Sequence, residues 1–278
     1  MPVTEAQWRA ANRAHWDELV GLHLGPSGYD LTRLRSGGGH LDPLVAGELP
    51  ALVGKRVLHL QCHFGADTLA LAQLGSDVVG LDFSAPAIAA ARRLATELGL
   101  SERAHFVETD LYDALAAVPH PHEFDLVFAS WGAICWLPDL GRWASIAAAM
   151  LRPGGRLYLA DGHPAALVLD DAAAGPDGIP GFLAPYSANE PWIETDTRDY
   201  IDDEAELGQK TTYVWIHPLG EIVTSVIEAG LRLDWLHEHD RVPWRMFRIL
   251  VRETDRFWRW PGTPWLPLTF SLAATKGG

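Results

Sequence analysis

The chain has 278 residues, of which 48% are hydrophobic, so it is long enough to bury a sizeable core. Its 22 Lys and Arg are outnumbered by 36 Asp and Glu, and the net charge of −14 argues against nucleic acid as a partner, because phosphates would be repelled. Apolar runs are broken well before the roughly 18 residues of a membrane span, and the first residues lack a signal-peptide pattern. We therefore expect a soluble, cytoplasmic protein with no membrane partner.

The two cysteines, Cys62 and Cys135, stand apart from any CxxC or Cys/His spacing. This pattern predicts neither a disulfide framework nor a metal site. We expect both thiols to be reduced and buried.

Strand alternates with helix from Arg56 to Ala160, which predicts a parallel sheet covered on both faces. The five predicted strands lie in the segments RVLHL, DVVGLDFS, AHFVETD, FDLVFAS and GRLYLAD. Helices follow the first two strands and end at Gly75 and Gly99, the residue type that commonly follows a helix.

The rest of the chain divides around this core. Residues 1–50 are predicted to form an N-terminal helical cap segment, and 51–162 the core itself. Residues 163–210, rich in Pro, Gly, Asp and Ala, are predicted to be a cap or lid insertion, since a loop of this length is seldom without function. Residues 211–278 are predicted to complete the sheet, with an apolar helical stripe before Gly230 and closing strands in LRLDWLHEH and LTFSLAATK.

Ligands of open α/β sheets bind at the carboxyl ends of the strands, where the strand order reverses. A dinucleotide loop needs glycines at three places after the first strand, but the matching window of this chain has Gln61, His63 and Gly65. Asp82 ends the second strand, where it is suited to ribose hydroxyls. This combination favours a nucleoside ligand without a pyrophosphate.

The segment from Arg56 to Ala160 resembles the core of class I S-adenosylmethionine-dependent methyltransferases. The stretches LHLQCHFGADTLALA, CWLPDL, LRPGG and FSLAATK resemble a bacterial branch of methyltransferase-domain proteins with an altered cofactor loop. The resemblance implies a doubly wound, mostly parallel, Rossmann-like seven-stranded α/β sheet with a cap insertion. It also implies S-adenosyl-L-methionine as the methyl donor, with S-adenosyl-L-homocysteine as the product.

The family's first motif has an acid followed by three alternate glycines. On that pattern His59 stands in the acidic position, Gln61 and His63 in the first two glycine positions, and Gly65 in the third. Asp67 would then take the cationic amino group of the cofactor, although an acid in a first helical turn also has a plain stabilising role.

The resemblance implies further cofactor contacts at the ends of strands two to four. They are Asp82 for the ribose, Phe83 beside the adenine, Asp110 for the adenine amino group with the Leu111 backbone nearby, and Ser130 and Trp131 beside the methionine part and the transferred methyl.

Aromatic walls suit both a sulfonium and an apolar acceptor. The predicted substrate-binding residues are accordingly aromatic, namely Trp136, Tyr186, Trp192 and Tyr29, and the segment around Trp16 is expected to close one side. His163 follows strand five and is the predicted general base, since an ordinary imidazole accepts a proton near neutral pH. Other histidines, His23 among them, are expected to have surface or structural roles.

The sequence thus favours methyl transfer to an oxygen or nitrogen of a small organic molecule. A non-catalytic module that binds S-adenosylmethionine or S-adenosylhomocysteine is the alternative, and a nicotinamide-dependent oxidoreductase is disfavoured by the missing glycines. A homodimer is left open.

Overall fold

The structure is a computed structural model that describes residues 3–39, 41–188, 190–195, 199, 205–253 and 256–278. Its α-helices are α1 (Glu5–His23), α2 (Thr32–Arg35), α3 (Pro43–Glu48), α4 (Ala66–Gln73), α5 (Ala85–Glu97), α6 (Ala114–Ala117), α7 (Leu140–Met150), α8 (Pro164–Leu167) and α9 (Leu219–Glu228). Its strands are β1 (Arg56–His59), β2 (Asp77–Asp82), β3 (Ala104–Glu108), β4 (Phe124–Ser130), β5 (Leu151–Gly162), β6 (Leu169–Asp170), β7 (Gly181–Phe182), β8 (Trp192–Glu194), β9 (Thr212–Val214), β10 (Leu231–His239), β11 (Arg241–Val242), β12 (Val251–Arg252), β13 (Trp258–Arg259) and β14 (Thr269–Lys276).

The largest sheet in the described residues has seven strands in the order β10-β14-β5-β4-β1-β2-β3. Strands β1 to β5 pair in parallel, whereas β14 pairs antiparallel with both β5 and β10. The chain order reverses between β1 and β4, which places the expected ligand crevice at their carboxyl ends. The predicted fold class is confirmed.

Local sequence explains why the helices begin where they do. Ser84 caps α5, with its side chain accepting from the Ala87 N–H, and a proline occupies the first turn. Asp139 caps α7 through the Arg142 N–H. The small and branched residues of these helices are buried against the two faces of the sheet in two apolar clusters. The ends of β1 to β4 are therefore held rigidly.

Three further parts surround the strand ends. Helix α1 packs against α5 and β9. Strands β8 and β9 form a two-stranded sheet, and β11, β13 and β12 form a small antiparallel sheet that the sequence analysis did not predict. The predicted cap insertion carries α8, β6, β7 and β8, and its residues 189, 196–198 and 200–204 lie outside the described part of the chain. The proposed division into four parts stays a prediction.

Cys62 is buried as expected, whereas Cys135 is half-buried, and both thiols are free. Across the described ranges, the helices are all too short or too polar to cross a bilayer.

Candidate functional site

The loop after β1 keeps the backbone path that glycines would give it. Gln61 and His63 have φ values of 54° and 49°, in the left-handed region that glycine favours, and Gly65 follows at 78°. A Cβ on Gly65 would lie 2.6 Å from Phe106 Cε1, so this position has no room for a side chain. The altered loop therefore takes a glycine-like conformation at two residues that carry large side chains.

Asp82 lies at the end of β2 and fastens this loop. Its Oδ2 accepts from the His63 N–H at 2.8 Å, and its Oδ1 accepts from the Ser84 N–H at 2.9 Å. The residue is 6% exposed, and burial raises the pKa of its carboxyl to about 6. Each carboxylate oxygen still has a lone pair to offer a ligand hydroxyl.

His59 faces the protein interior. Its Nδ1 lies 2.8 Å from Thr68 Oγ1 in α4, and its ring packs edge-on against Phe128 with 4.9 Å between the ring centroids. Burial lowers the pKa of His59 to about 3, so the ring is neutral near pH 7. It does not supply the negative charge of the acid that it replaces.

Asp67, the predicted substitute acid, lies in the first turn of α4. Its Oδ2 accepts from Ser130 Oγ at 3.1 Å, which joins α4 to the end of β4. Burial raises the pKa of this carboxyl, while Ser130 and Arg256 oppose the shift. Both Asp67 and Ser130 therefore have a structural partner, and their cofactor contacts stay predictions.

Helix α1 covers the side where the adenine is expected. The Arg9 guanidinium lies 3.4 Å from Asp110 Oδ2, and Asp110 Oδ1 accepts from the Tyr112 N–H. The guanidinium of Arg13 lies 5.6 Å from the centre of the Phe83 ring. Leu111 is buried behind this group. A nucleobase at Asp110 would have to compete with Arg9.

An aromatic cluster covers the ends of β1 and β4. The Trp16 ring centroid lies 5.1 Å from that of His63 and 5.3 Å from that of Trp136. Tyr29 packs edge-on against Phe64 at 5.3 Å. Trp16 and Tyr29 therefore each contact a residue of the cofactor loop, and the assignment of Trp136 and Tyr29 to the acceptor stays a prediction.

The loop after β4 is held by a residue that the sequence analysis missed. Asp161, at the end of β5 and 2% exposed, accepts from the N–H groups of Gly132, Ala133 and Ile134 at 2.6, 3.0 and 3.2 Å. Burial raises the pKa of Asp161, and these N–H groups oppose the shift. The signal that could have identified it is the one that identified Asp82, an acid that ends a buried strand of the sheet.

Trp131 begins that loop with a φ of 48°. Its Nε1 donates to Asp42 Oδ2 at 2.8 Å, and its ring lies 5.8 Å from that of Trp244. The end of β4 is thus linked to α3. A cavity of about 460 Å³ is lined by Pro43 and Leu44, which directly follow Asp42, together with Glu238, His239, Asp240, Arg241 and Phe257.

The two lid residues that were predicted to bind the substrate, Tyr186 and Trp192, do not line this cavity. The Tyr186 hydroxyl accepts from the Leu219 N–H at 3.1 Å, at the start of α9, and Tyr186 is 38% exposed. Trp192 is in β8, opposite Val214 of β9. The β8–β9 pair is fastened to α1, because Asn12 makes two 2.9 Å hydrogen bonds with the Tyr213 backbone.

His163, the predicted base, is buried at the end of β5. Its Nδ1 accepts from the Ala165 N–H at 3.1 Å, so Nε2 carries the proton and donates to Glu238 Oε1 at 2.8 Å. Burial lowers the pKa of His163 and the Glu238 charge opposes this. The ring does not line the cavity, whereas Glu238 does. Its role as a base stays a prediction.

Two buried polar atoms of the cofactor loop have no hydrogen-bond partner in the described structure: Gln61 Oε1 and His63 Nδ1. Buried polar atoms are seldom left unpaired in a folded protein, so each can serve a ligand. Together with the Asp82 carboxylate, these two polar atoms fit a nucleoside that carries hydroxyl and amino groups.

Comparison with known proteins agrees with this geometry. Residues 57–155 match the family model described as a methyltransferase domain. The chain is 31% identical over 107 residues to a ubiquinone biosynthesis O-methyltransferase of Aromatoleum aromaticum, covering 38% of this chain and 44% of that protein. It is 32% identical over 151 residues to the 27-O-demethylrifamycin SV methyltransferase of Amycolatopsis mediterranei, covering 52% and 53%.

Among solved structures, an S-adenosylmethionine-dependent methyltransferase of Mesorhizobium loti superposes with a TM-score of 0.57 at 19% identity, over 84% of this chain and 96% of that one. This similarity shows a shared fold. The matches to the curated relatives named above span about half of their length or less.

Proposed function

Because the chain carries a methyltransferase domain and has the fold of the class I S-adenosylmethionine-dependent methyltransferases, we propose that it transfers a methyl group from that cofactor to an oxygen or nitrogen of a small organic molecule. The observation that carries the proposal is the group at the end of β1 and β2. There, Asp82 fastens a loop that follows a glycine path and bears two buried polar atoms without a hydrogen-bond partner in the described structure. The two curated relatives support an oxygen acceptor, since the names of both describe O-methylation.

S-adenosylmethionine, when bound, supplies a methyl group attached to a sulfonium, whose sulfur is a good leaving group because it departs as a neutral thioether. The protein's part is then to hold the two reactants in line and to exclude water. Asp82 would accept from the ribose hydroxyls, and Asp110 from the adenine amino group once Arg9 moves aside. The aromatic cluster of Trp16 and Trp136 would exclude water from the strand ends.

We place the acceptor in the cavity beyond Trp131. The cavity is joined to the end of β4 through the Trp131–Asp42 hydrogen bond, and Pro43 and Leu44 of its wall directly follow Asp42. Its charged lining suits a small molecule with polar groups. Where the acceptor arrives protonated, Glu238, His239 and Asp240 are the lining residues that could accept its proton, and His163 is hydrogen-bonded to Glu238.

The test is to incubate the protein with S-adenosylmethionine and a panel of hydroxyl- and amine-bearing small molecules, and to measure S-adenosylhomocysteine. Asp82→Ala should weaken cofactor binding by about 1.5–3 kcal/mol, the scale of charge-assisted hydrogen bonds lost from a buried site. Asp77→Ala, at the exposed start of the same strand, is the matched control and should leave it unchanged.

Three outcomes separate the hypotheses. Turnover with at least one acceptor supports the proposal. Tight cofactor binding with no turnover across the panel would favour the non-catalytic binding module. Calorimetry with no heat for either S-adenosylmethionine or S-adenosylhomocysteine would reject both.

A further inference from the structure

Three side chains from three parts of the fold form a buried hydrogen-bonded chain. His23 Nε2 lies 2.9 Å from Asp199 Oδ1, and His23 Nδ1 lies 2.9 Å from His63 Nε2. The side chains of His23 and Asp199 are 0% and 1% exposed. At the end of the chain, His63 Nδ1 is buried and has no hydrogen-bond partner among the described residues.

The direction of the hydrogen bonds between these side chains determines whether His63 Nδ1 carries a proton. An ionised Asp199 can only accept, so His23 must donate from Nε2, which leaves a lone pair on its Nδ1 when the ring is neutral. That lone pair accepts from His63 Nε2–H. His63 Nδ1 is then a lone-pair acceptor. The Asp199 carboxylate sets this tautomer through the hydrogen bonds of His23.

The position of His63 indicates which ligand it serves. Its backbone N–H donates to Asp82, the proposed ribose ligand, and its ring packs against Trp16 of the cover. The negative charge of Asp199 favours a cationic donor at the other end of the chain. Gln61 Oε1 is a second unpaired acceptor on the same loop.

We propose that the Asp199–His23–His63 chain presents His63 Nδ1 to the primary ammonium of an amino-acid-bearing nucleoside. The inference rests on the proposed function. The three hydrogen-bonded side chains would bind the ammonium group, which His59 does not bind because it is buried against Thr68. It also replaces the assignment of the ammonium to Asp67, which is hydrogen-bonded to Ser130.

The contact has a defined pH dependence. A proton added to the chain converts His63 Nδ1 from an acceptor into an N–H donor, which would repel an ammonium. Burial and the neighbouring His23 lower the pKa of His63, so the acceptor form persists below the ordinary histidine value of 6.5. The other titratable groups near this hydrogen-bonded chain are Asp82 at the end of β2, Cys62 of the loop, His15, Asp17 and Glu18 of α1, and Tyr29.

The experiment compares two ligands by calorimetry: S-adenosylhomocysteine, which has the ammonium, and 5′-methylthioadenosine, which lacks it. Asp199→Asn should lower the affinity for S-adenosylhomocysteine by about tenfold or more, because the amide no longer enforces the tautomer of His63. It should change the affinity for 5′-methylthioadenosine by less than about threefold. Asp67→Asn is the matched control and should show no such selectivity.

Equal losses for the two ligands, or a selective loss in Asp67→Asn instead, would overturn the inference. If Asp199→Asn does not fold, the wild-type protein supplies the test: the affinity ratio of S-adenosylhomocysteine to 5′-methylthioadenosine should hold steady near neutral pH and fall only well below pH 6.5, where His63 takes up a proton. Asp82 serves the ribose of both ligands, so its titration cancels in the ratio. A ratio independent of pH would also overturn the inference, whereas binding of neither ligand would refute the proposed function with it.

Discussion

Asp82 should make the unliganded protein relatively less stable as the pH rises. Its folded-state pKa of about 6 lies above the ordinary value of 3.8, because burial penalises the charged form. The folded state therefore holds this proton more tightly than the unfolded state does. The resulting stabilisation is fully present below pH 3.8 and is lost as the pH rises through about 6.

The magnitude follows from the two pKa values. A difference of about 2 units corresponds to about 3 kcal/mol over the whole window. Between pH 8 and pH 5 the folded carboxyl gains most of its proton while the unfolded one stays ionised, which gives about 1.4 kcal/mol. The side chain is almost fully buried, so solvent screening does not reduce this figure much.

The assay is urea unfolding of the wild type and of Asp82→Asn at pH 5 and pH 8. Many groups titrate in this range, but they contribute equally to both proteins, so the difference between the two unfolding free energies isolates Asp82. The wild type should gain about 1.4 kcal/mol relative to the variant on going from pH 8 to pH 5. Saturating S-adenosylhomocysteine should reduce that gain, because ribose hydroxyls stabilise the ionised carboxylate. A difference that does not change with pH would refute the reasoning.

The remaining predictions concern the loops and the lid. In urea unfolding, Gly65→Ala should lower the unfolding free energy by about 2–4 kcal/mol, since it adds a clash with Phe106 to a left-handed backbone. Gly99 is also left-handed but lies in open space, so Gly99→Ala should lower it by only about 1 kcal/mol in the same assay. Asp161→Asn should cost about 2–4 kcal/mol in unfolding free energy and lower methyl transfer, because it leaves buried N–H groups unpaired; unchanged stability and turnover would contradict this. Tyr186→Phe should spare cofactor binding in calorimetry and reduce the thermal midpoint only slightly, since it removes one exposed hydrogen bond to α9; a large loss of affinity would place Tyr186 in the cofactor site.

The parts of the fold that could be predicted are those that local patterns specify. The apolar runs and the helix caps of the βα units are local, so the positions of β1 to β5, and of Asp82 at the end of β2, followed from sequence alone. The small sheet of β11, β13 and β12 was missed because two-residue strands carry no periodic signal.

An N-terminal cover was predicted, but the contacts that fasten it over the site could not be, because they join residues that are distant in the sequence. Arg9 meets Asp110, and His23 meets both His63 and Asp199, across separations that no local pattern records. His23 was expected to have a surface or structural role, and the structure buries it completely. The role of His23 depends on the side chains that contact its two ring nitrogens, and these come together only in the folded protein.

The missing glycines have a physical explanation in the same long-range contacts. Gln61, His63 and Trp131 are left-handed without being glycine, at a cost of about 1–2 kcal/mol each. Each side chain makes a contact that glycine could not: Gln61 Nε2 donates to the Ala133 carbonyl at 2.7 Å, His63 Nε2 meets His23, and Trp131 Nε1 donates to Asp42. These bonds hold the loops after β1 and β4 in the shape that glycine would merely permit. The strain is therefore offset by contacts that also leave Gln61 Oε1 and His63 Nδ1 free at the strand ends, where a ligand with donor groups would complete them.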